Sequence, residues 1–510
     1  MMYRTVSQIE SAISILASWF PNFFTRIELP ETSVEGRTVS ALRLRAGGGS
    51  SRRGVLVVGG THARELMNPD AIVDLAIDLF LSYTNGTGHS YGNRSWTAED
   101  IKIILESLDI WLLPCSNPDG RNYVMTADSL WRKNRRQNAN TTCMGVDLNR
   151  NADIVWGVAQ GQTSCSPCSD VYCGPGAFSE PETRNVKWLL DSERILSFVD
   201  VHSYSELVLY PWGHAPTQTT DPTKQFTGIT TGTCTASIPG SYSEYMPPID
   251  LQRFTTVAHQ IASDIQAVRG RQYTVEPSIQ LYPTTGTQGD YAYSRHLANA
   301  AYEKTYGFTF ETGPWAGTVQ DSFHPMDPSA IQNDAKAAIL SLLQQSVCSI
   351  ELIGLSLFAK QAPLDALRTV RDRLLATTAA GREWVALFER VQFPLLSVVL
   401  KAPKLLESAS ELLRSLTDWV MKDDVKLDQV DLRRAQQLIR QLAAGTKDRA
   451  LRADLAAVST HLSKVAGRPA QAVVAHLLRH RPATAGKQST KRPAKTTRKR
   501  KAEPLKKRHT

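Results

Sequence analysis

No stretch of this chain stays apolar for the roughly 18 residues that a membrane span needs, so no transmembrane helix is expected. The amino terminus does not read as a signal peptide either. Met1-Met2-Tyr3-Arg4 leads into Ile9, Ile13, Leu16 and Phe20, whose 4-3-4 spacing makes one face of an amphipathic helix that should pack on a core. Cysteine is sparse and unevenly spread. Of seven, Cys143, Cys165, Cys168 and Cys173 fall within 31 residues, whereas Cys115, Cys234 and Cys348 are scattered. Such a cluster is a disulfide pair, a metal cluster or coincidence, and only three of the thiols lie close together, one short of a structural zinc site. The missing signal argues for a reducing compartment and the cluster for an oxidising one, so the residues leave the localisation open. Acid is nearly missing from one end: Arg481 to Thr510 hold 12 Lys/Arg and a single acid, Glu503. Removing them from the 58 and 49 of the whole chain leaves 46 basic against 48 acidic residues. The net charge of +9 therefore belongs to a tail. That tail also lacks the apolar surface to fold alone. It is either a disordered, solubilising extension or a polyanion-binding arm, whose cations would contact phosphates without reading bases.

What remains is ordinary globular composition, 42% hydrophobic and 21% charged, long enough for two or three domains. After the first helix, Pro30 and Gly36 punctuate a hairpin-like segment ending in the alternating strand Thr38 to Leu44. Val55-Leu56-Val57-Val58 is too short for most helices and reads as a buried strand, with Gly59-Gly60 turning it into a polar loop. Pro69 opens a helix through Ile72, Leu75, Ala76, Leu79 and Phe80. The runs 110–114, 195–201 and 307–310 are further buried strands, each followed by polar residues. Strands alternating with helices, with chemistry at the strand ends, predict an α/β domain with a mixed, mostly parallel central sheet flanked by helices. From about Pro325 the strand signals stop. Leu364, Leu367, Val370, Leu374 and Leu375 mark one amphipathic helix, and Leu432, Ala435, Leu438, Ile439 and Leu442 another. The expected division is a catalytic domain over 1–345, an all-α appendage over 346–480 and a disordered basic tail over 481–510.

The chemistry sits at strand ends. His62-Ala63-Arg64-Glu65 puts an imidazole and a carboxylate on one short turn, His202 ends a second strand and Glu311 a third. Three such ligands hold a catalytic zinc with one position open, and the fourth group, a carboxylate, can take a proton from water.

Several motifs follow in one order: His62-Ala63-Arg64-Glu65, Asn117-Pro118-Asp119-Gly120, Leu130-Trp131-Arg132-Lys133-Asn134-Arg135, Gly145-Val146-Asp147-Leu148-Asn149-Arg150-Asn151, His202-Ser203-Tyr204-Ser205, Tyr282 ahead of Gly286 and Asp290, and Phe310-Glu311. Over residues 3 to about 345 the chain thereby resembles the zinc metallocarboxypeptidases of the carboxypeptidase A/B type. The resemblance implies one Zn2+ bound by His62, Glu65 and His202, with Asp147 orienting His62 from behind. It makes Glu311 the general base that activates water and then protonates the leaving amine, and Arg132 the oxyanion stabiliser. Asn149, Arg150 and Tyr282 match the residues that read a free α-carboxylate, with Ser203 and Tyr204 beside them and Arg64 along the entry path. Gly289 stands where the family sets specificity for the C-terminal side chain. It supplies neither charge nor bulk, which implies a roomy pocket for large apolar or aromatic residues. Cys143 and Cys168 match a disulfide of digestive members, and Cys165–Cys173 would be a second bridge. Because the pattern begins almost at Tyr3, no inhibitory pro-segment of the kind those relatives carry is expected. The expected partners are peptide or protein C-termini, met by a monomeric chain. Rival readings are a zinc amidohydrolase of the same scaffold, acting on peptidoglycan peptides or side-chain-linked glutamates, and a non-catalytic binding module.

Overall fold

The computed structural model describes residues 3–47 and 52–347, apart from positions 228, 230 and 233–236, and short stretches between 375 and 482. The helix expected through Leu364, Leu367, Val370 and Leu374, and the basic tail from position 483, lie outside the described residues. The chain divides into two compact units, Met1–Thr369 and Val370–Thr510.

In the first unit the described strands are β1 (Phe24–Glu28), β2 (Ser40–Leu44), β3 (Arg53–Gly59), β4 (His89–Tyr91), β5 (Arg94–Trp96), β6 (Leu108–Leu113), β7 (Ile195–His202), β8 (Leu207–Tyr210), β9 (Thr217–Thr219), β10 (Ser243–Tyr245), β11 (Thr274–Pro277) and β12 (Tyr306–Glu311). Eight form one sheet in the order β1-β2-β6-β3-β7-β12-β8-β11. Its centre, β6-β3-β7-β12, is parallel, while β1, β2 and the β12–β8 pairing are antiparallel. Val55, Leu56, Val57 and Val58 of β3 are fully buried, as are Phe198, Val199 and Val201 of β7. Strands covered on both faces read as unbroken apolar runs, and each such side chain contributes about 1.5–3 kcal/mol of burial.

Helices cover the sheet. Val6–Trp19 buries Ile9, Ile13 and Leu16, the expected face, and is held at its start by a Thr5/Gln8 capping box. Met67–Asn85 and Pro248–Arg269 each pack on Ser329–Ser346 and bury residues such as Ile72, Leu75, Ile261 and Leu340 completely. The parallel register fixes the functional edge. Gly59 pairs with Val201, and His202 with Glu311, so the carboxyl ends of β3, β7 and β12 finish at one level. In the second unit the expected apolar run at 432–442 lies within the helix Gln429–Gly445, with Leu432, Ala435 and Leu442 buried. Among the described residues no helix is long and apolar enough to cross a membrane.

The cysteines follow the expectation in part. Cys143 and Cys168 form a disulfide, with Cα atoms 5.0 Å apart. The second expected bridge does not form. Cys173 is a free thiol turned into the core against the Gly174 carbonyl, where burial pushes it up to about 11, and Cys165 is disulfide-bonded without it.

Candidate active site

The loop after β3 is shaped by its neighbours before any chemistry is considered. Gly60 takes a left-handed turn (φ 65°) under Pro69, and the Asn117 amide donates to the Thr61 carbonyl while its oxygen caps the helix Pro118–Thr126 at Gly120. His62 and Glu65 are thereby fixed on one short turn, both buried. His202 arrives from the end of β7. Its Nδ1 lies 3.0 Å from His62 Nδ1 and 3.0 Å from a Glu65 oxygen, while His62 Nδ1 is 2.7 Å from the other Glu65 oxygen. Among the described residues these three form the one group of His, Cys, Asp or Glu able to hold a metal ion, with ligand atoms within 4.8 Å of one another.

The outer ring nitrogens explain why the inner ones face each other. His62 Nε2 is 3.2 Å from Asp147 and His202 Nε2 is 2.8 Å from Asp200. A proton on His62 Nε2 satisfies Asp147 and one on His202 Nε2 lies beside Asp200, which leaves two Nδ1 lone pairs converging with a carboxylate. Electron-rich atoms at such distances repel unless a cation sits among them, so the donor set fits zinc, and its neutral nitrogen and carboxylate ligands suit that metal. Burial alone would lower His202, but Asp200 and Glu65 outweigh it and hold the imidazolium well above its ordinary range. Glu65, despite burial, is held well below the carboxylate range by the two imidazoles.

Asp147 serves three groups at once. Besides His62 it accepts from Arg132 Nε at 3.0 Å and from the Asn149 N–H at 2.9 Å. Its loop depends on Gly145 (φ 85°), where a Cβ would come within 2.5 Å of the Asn134 carbonyl. Asn134 in turn exchanges hydrogen bonds with Val146 through both backbone and side chain. Asp147 is fully buried, yet Arg132, Arg150 and His62 keep it well below the usual carboxylate range. Arg132 remains a cation throughout, because the Asp147 charge outweighs its burial.

Glu311, the register partner of His202, lines one cleft together with His62. Burial pushes its carboxyl up to about 8, against the pull of His202 and Arg132. The cleft runs past Asn149, Arg150 and Tyr282 to Leu281, Thr284, Gly289 and Thr309. The Arg150 guanidinium donates to the Asn149 and Gln162 carbonyls, with Cζ 6.0 Å from the centre of the Tyr282 ring. Gly307 approaches so closely that its added Cβ would strike the Gly289 carbonyl at 2.2 Å. Asp290 also lines the cleft, but its Oδ2 accepts from the Gly213 N–H at 2.8 Å and lies 3.5 Å from buried His214.

Three of the expected substrate-binding residues, Arg64, Ser203 and Tyr204, lie outside the cleft lining. Arg64 stacks over the Phe323 ring at 4.6 Å and donates to the Leu130 carbonyl. Tyr204 packs on Phe323 and on exposed Trp315, so these residues form an aromatic rim. Ser203 acts through its backbone, donating its N–H to Glu65 at 3.1 Å. Asp200 and Thr61 escaped the sequence reading. The available signal was an acid inside an otherwise apolar strand, which is costly unless something pairs it.

A family model described as zinc carboxypeptidase, peptidase M14, matches residues 9–340. Among curated proteins, carboxypeptidase A4 of Mus musculus is 29% identical over 61% of this chain and 62% of its own length, and carboxypeptidase B of Astacus astacus is 30% identical over 63% and 93%. The chain thus spans about three fifths of several relatives and nearly all of another. Among solved structures, thrombin-activatable fibrinolysis inhibitor shares the fold with a TM-score of 0.54, 22% identity and coverage of 68% and 75%. Carboxypeptidase A of Helicoverpa armigera does so with a TM-score of 0.51, 24% identity and coverage of 68% and 73%. With its motifs gathered at the ends of β3, β7 and β12 and the family model spanning most of the first unit, this chain belongs to the zinc carboxypeptidases of the M14 family.

Proposed function

We propose that the chain is an exopeptidase that hydrolyses the C-terminal peptide bond of peptides or proteins. The carrying observation is the meeting of a two-imidazole, one-carboxylate centre with Glu311 at the head of a cleft that also contains Asn149, Arg150 and Tyr282. When bound by His62, Glu65 and His202, zinc supplies Lewis acidity where water and the scissile carbonyl meet. The chain's own groups do the rest. Glu311, a carboxylate once a dication lies nearby, takes a proton from the attacking water and returns it to the leaving amine. A buried carboxyl with a raised proton affinity is suited to both tasks near neutral pH. Arg132, held by Asp147, aims permanent positive charge at the oxyanion. Asn149, Arg150 and Tyr282 receive the substrate's α-carboxylate, which restricts cleavage to chain ends.

The pocket beyond them supports a preference for large apolar or aromatic C-terminal residues. Its walls include Leu209, Tyr210, Pro211 and Leu281, and Gly289 leaves its floor open. The Asp290 carboxylate is occupied by Gly213 and His214, so it is a poor counter-ion for a substrate cation.

The experiment is to incubate the zinc-loaded chain, with and without a chelator, with peptides ending in Phe, Leu, Lys or Glu and with their C-terminal amides, and to weigh the products. Chelator-sensitive loss of one residue from the Phe and Leu peptides, with the amides intact, is expected. Internal cleavage, or equal cleavage of the amides, would overturn the reading.

A further inference from the structure

We propose that Asp200 is a second positioning carboxylate of the metal centre, doing for His202 what Asp147 does for His62, and that it strengthens this chain's hold on zinc. The inference rests on reading His62, Glu65 and His202 as the zinc ligands.

The starting point is cost. Asp200 is fully buried in β7, between fully buried Val199 and Val201, and its strand is covered on both sides by β3 and β12. A carboxylate there is strongly destabilising unless its oxygens are matched. Oδ1 accepts from the Thr61 hydroxyl at 2.9 Å, and Thr61 Oγ1 lies 3.3 Å from Ser116 Oγ. Oδ2 lies 2.8 Å from His202 Nε2 and has no conventional hydrogen-bond donor among the described residues. The charge is therefore matched chiefly through a ring whose other nitrogen faces Glu65 and His62.

That placement has two consequences. It draws the His202 proton to Nε2 and turns the Nδ1 lone pair inward, the arrangement that Asp147 enforces on His62. It also adds negative charge around the centre. Of the carboxylates Glu65, Asp147 and Asp200, Asp147 is compensated by Arg132, whereas no arginine or lysine is paired with Asp200 or Glu65 among the described residues. Two uncompensated acids favour retention of a dication. Thr61 stands next to His62 in sequence, so its hydroxyl joins the β3 loop to β7. A purely structural account would give Asp200 only this joining role.

The test uses the full chain and zinc itself. Zinc dissociation constants are measured by chelator competition for wild type, Asp200→Asn, Asp200→Ser and Thr61→Val, and cobalt-substituted forms are compared by visible absorption. The proposal expects both Asp200 variants to bind zinc ~10–100-fold more weakly with an altered cobalt spectrum, as removal of such a partner does elsewhere, and Thr61→Val to stay within about threefold of wild type. Zinc binding by Asp200→Asn within about threefold of wild type, or a Thr61→Val loss equal to that of Asp200→Asn, would overturn it. NMR of the zinc-loaded wild type decides the matter even if the variants do not fold: a downfield-shifted, exchange-protected His202 Nε2–H held by the Asp200 carboxylate is expected, and an Nε2–H without that hydrogen bond refutes the proposal. A wild-type chain that binds no zinc would instead sink the reading of the whole centre, a distinct result.

Discussion

Asp147 gives the residue scale its logic, because one carboxylate holds an imidazole, a guanidinium and the N–H of Asn149. Glu311 is different: among the described residues no ion pair holds its carboxyl, and burial raises its proton affinity. Replacing it by Gln keeps the shape and removes the proton shuttle. Glu311→Gln should lower kcat ~10²–10⁴-fold while zinc content stays at one per chain, as read by steady-state kinetics with metal analysis. Retained turnover would remove Glu311 from the mechanism. Specificity is argued at the same scale. A Cβ at Gly289 would lie 3.3 Å from the Thr309 hydroxyl, a contact that rotation of that side chain can relieve. Gly289→Asp should therefore be accommodated and should move kcat/KM from Phe-ended toward Lys- and Arg-ended peptides by at least about tenfold, the order expected for a new pocket ion pair. An unchanged ratio would mean that position 289 does not meet the substrate side chain.

At the scale of elements, the loop between the helices Pro118–Thr126 and Pro181–Ser192 bears Arg132, Asp147, Asn149 and Arg150, and it has little regular structure of its own. The Cys143–Cys168 bridge closes 25 residues of it. Chain-entropy reasoning assigns such a crosslink about 3 kcal/mol. Replacing both cysteines by Ser should lower unfolding stability in urea by about that amount, and a change below about 1 kcal/mol would show that this bridge does not carry the loop's stability. The helix Pro181–Ser192 closes the same loop with a buried acid. Burial pushes Glu182 up to about 7 from its ordinary 4.5, although it accepts from Val34 N–H and the Asn134 amide. Because the folded value is the higher one, the stabilisation is complete below pH 4.5 and is lost as pH rises through 7. Glu182→Gln should thus gain on wild type by up to about 3 kcal/mol between pH 4.5 and 7.5 in urea titrations. A stability difference that stays constant with pH would contradict this.

For the whole molecule, what could be read from residues and what could not divides along physical lines. The central strands were legible because they are buried on both faces and so uniformly apolar, and their polar ends announced His62, His202 and Glu311. β11 was not, since Thr274–Pro277 is a half-exposed edge with no apolar run. β8 is apolar enough, but its antiparallel pairing to β12 depends on long-range contacts that no local pattern encodes. Asp200 was hidden inside an apolar strand because its meaning lies in a partner two residues away on the same face. Cys173 misled because nearness in sequence says nothing about which way a thiol points. Every residue of the candidate site lies in the unit Met1–Thr369.

The account turns on a single ion held by groups far apart in sequence, and anomalous diffraction at the zinc edge on crystals of the zinc-loaded chain examines that directly. The predicted result is one peak per chain within bonding distance of His62 Nδ1, His202 Nδ1 and the Glu65 carboxylate, with Glu311 nearby but not bound to it. A map with no peak at that point, or with the zinc on a different set of side chains, would contradict it.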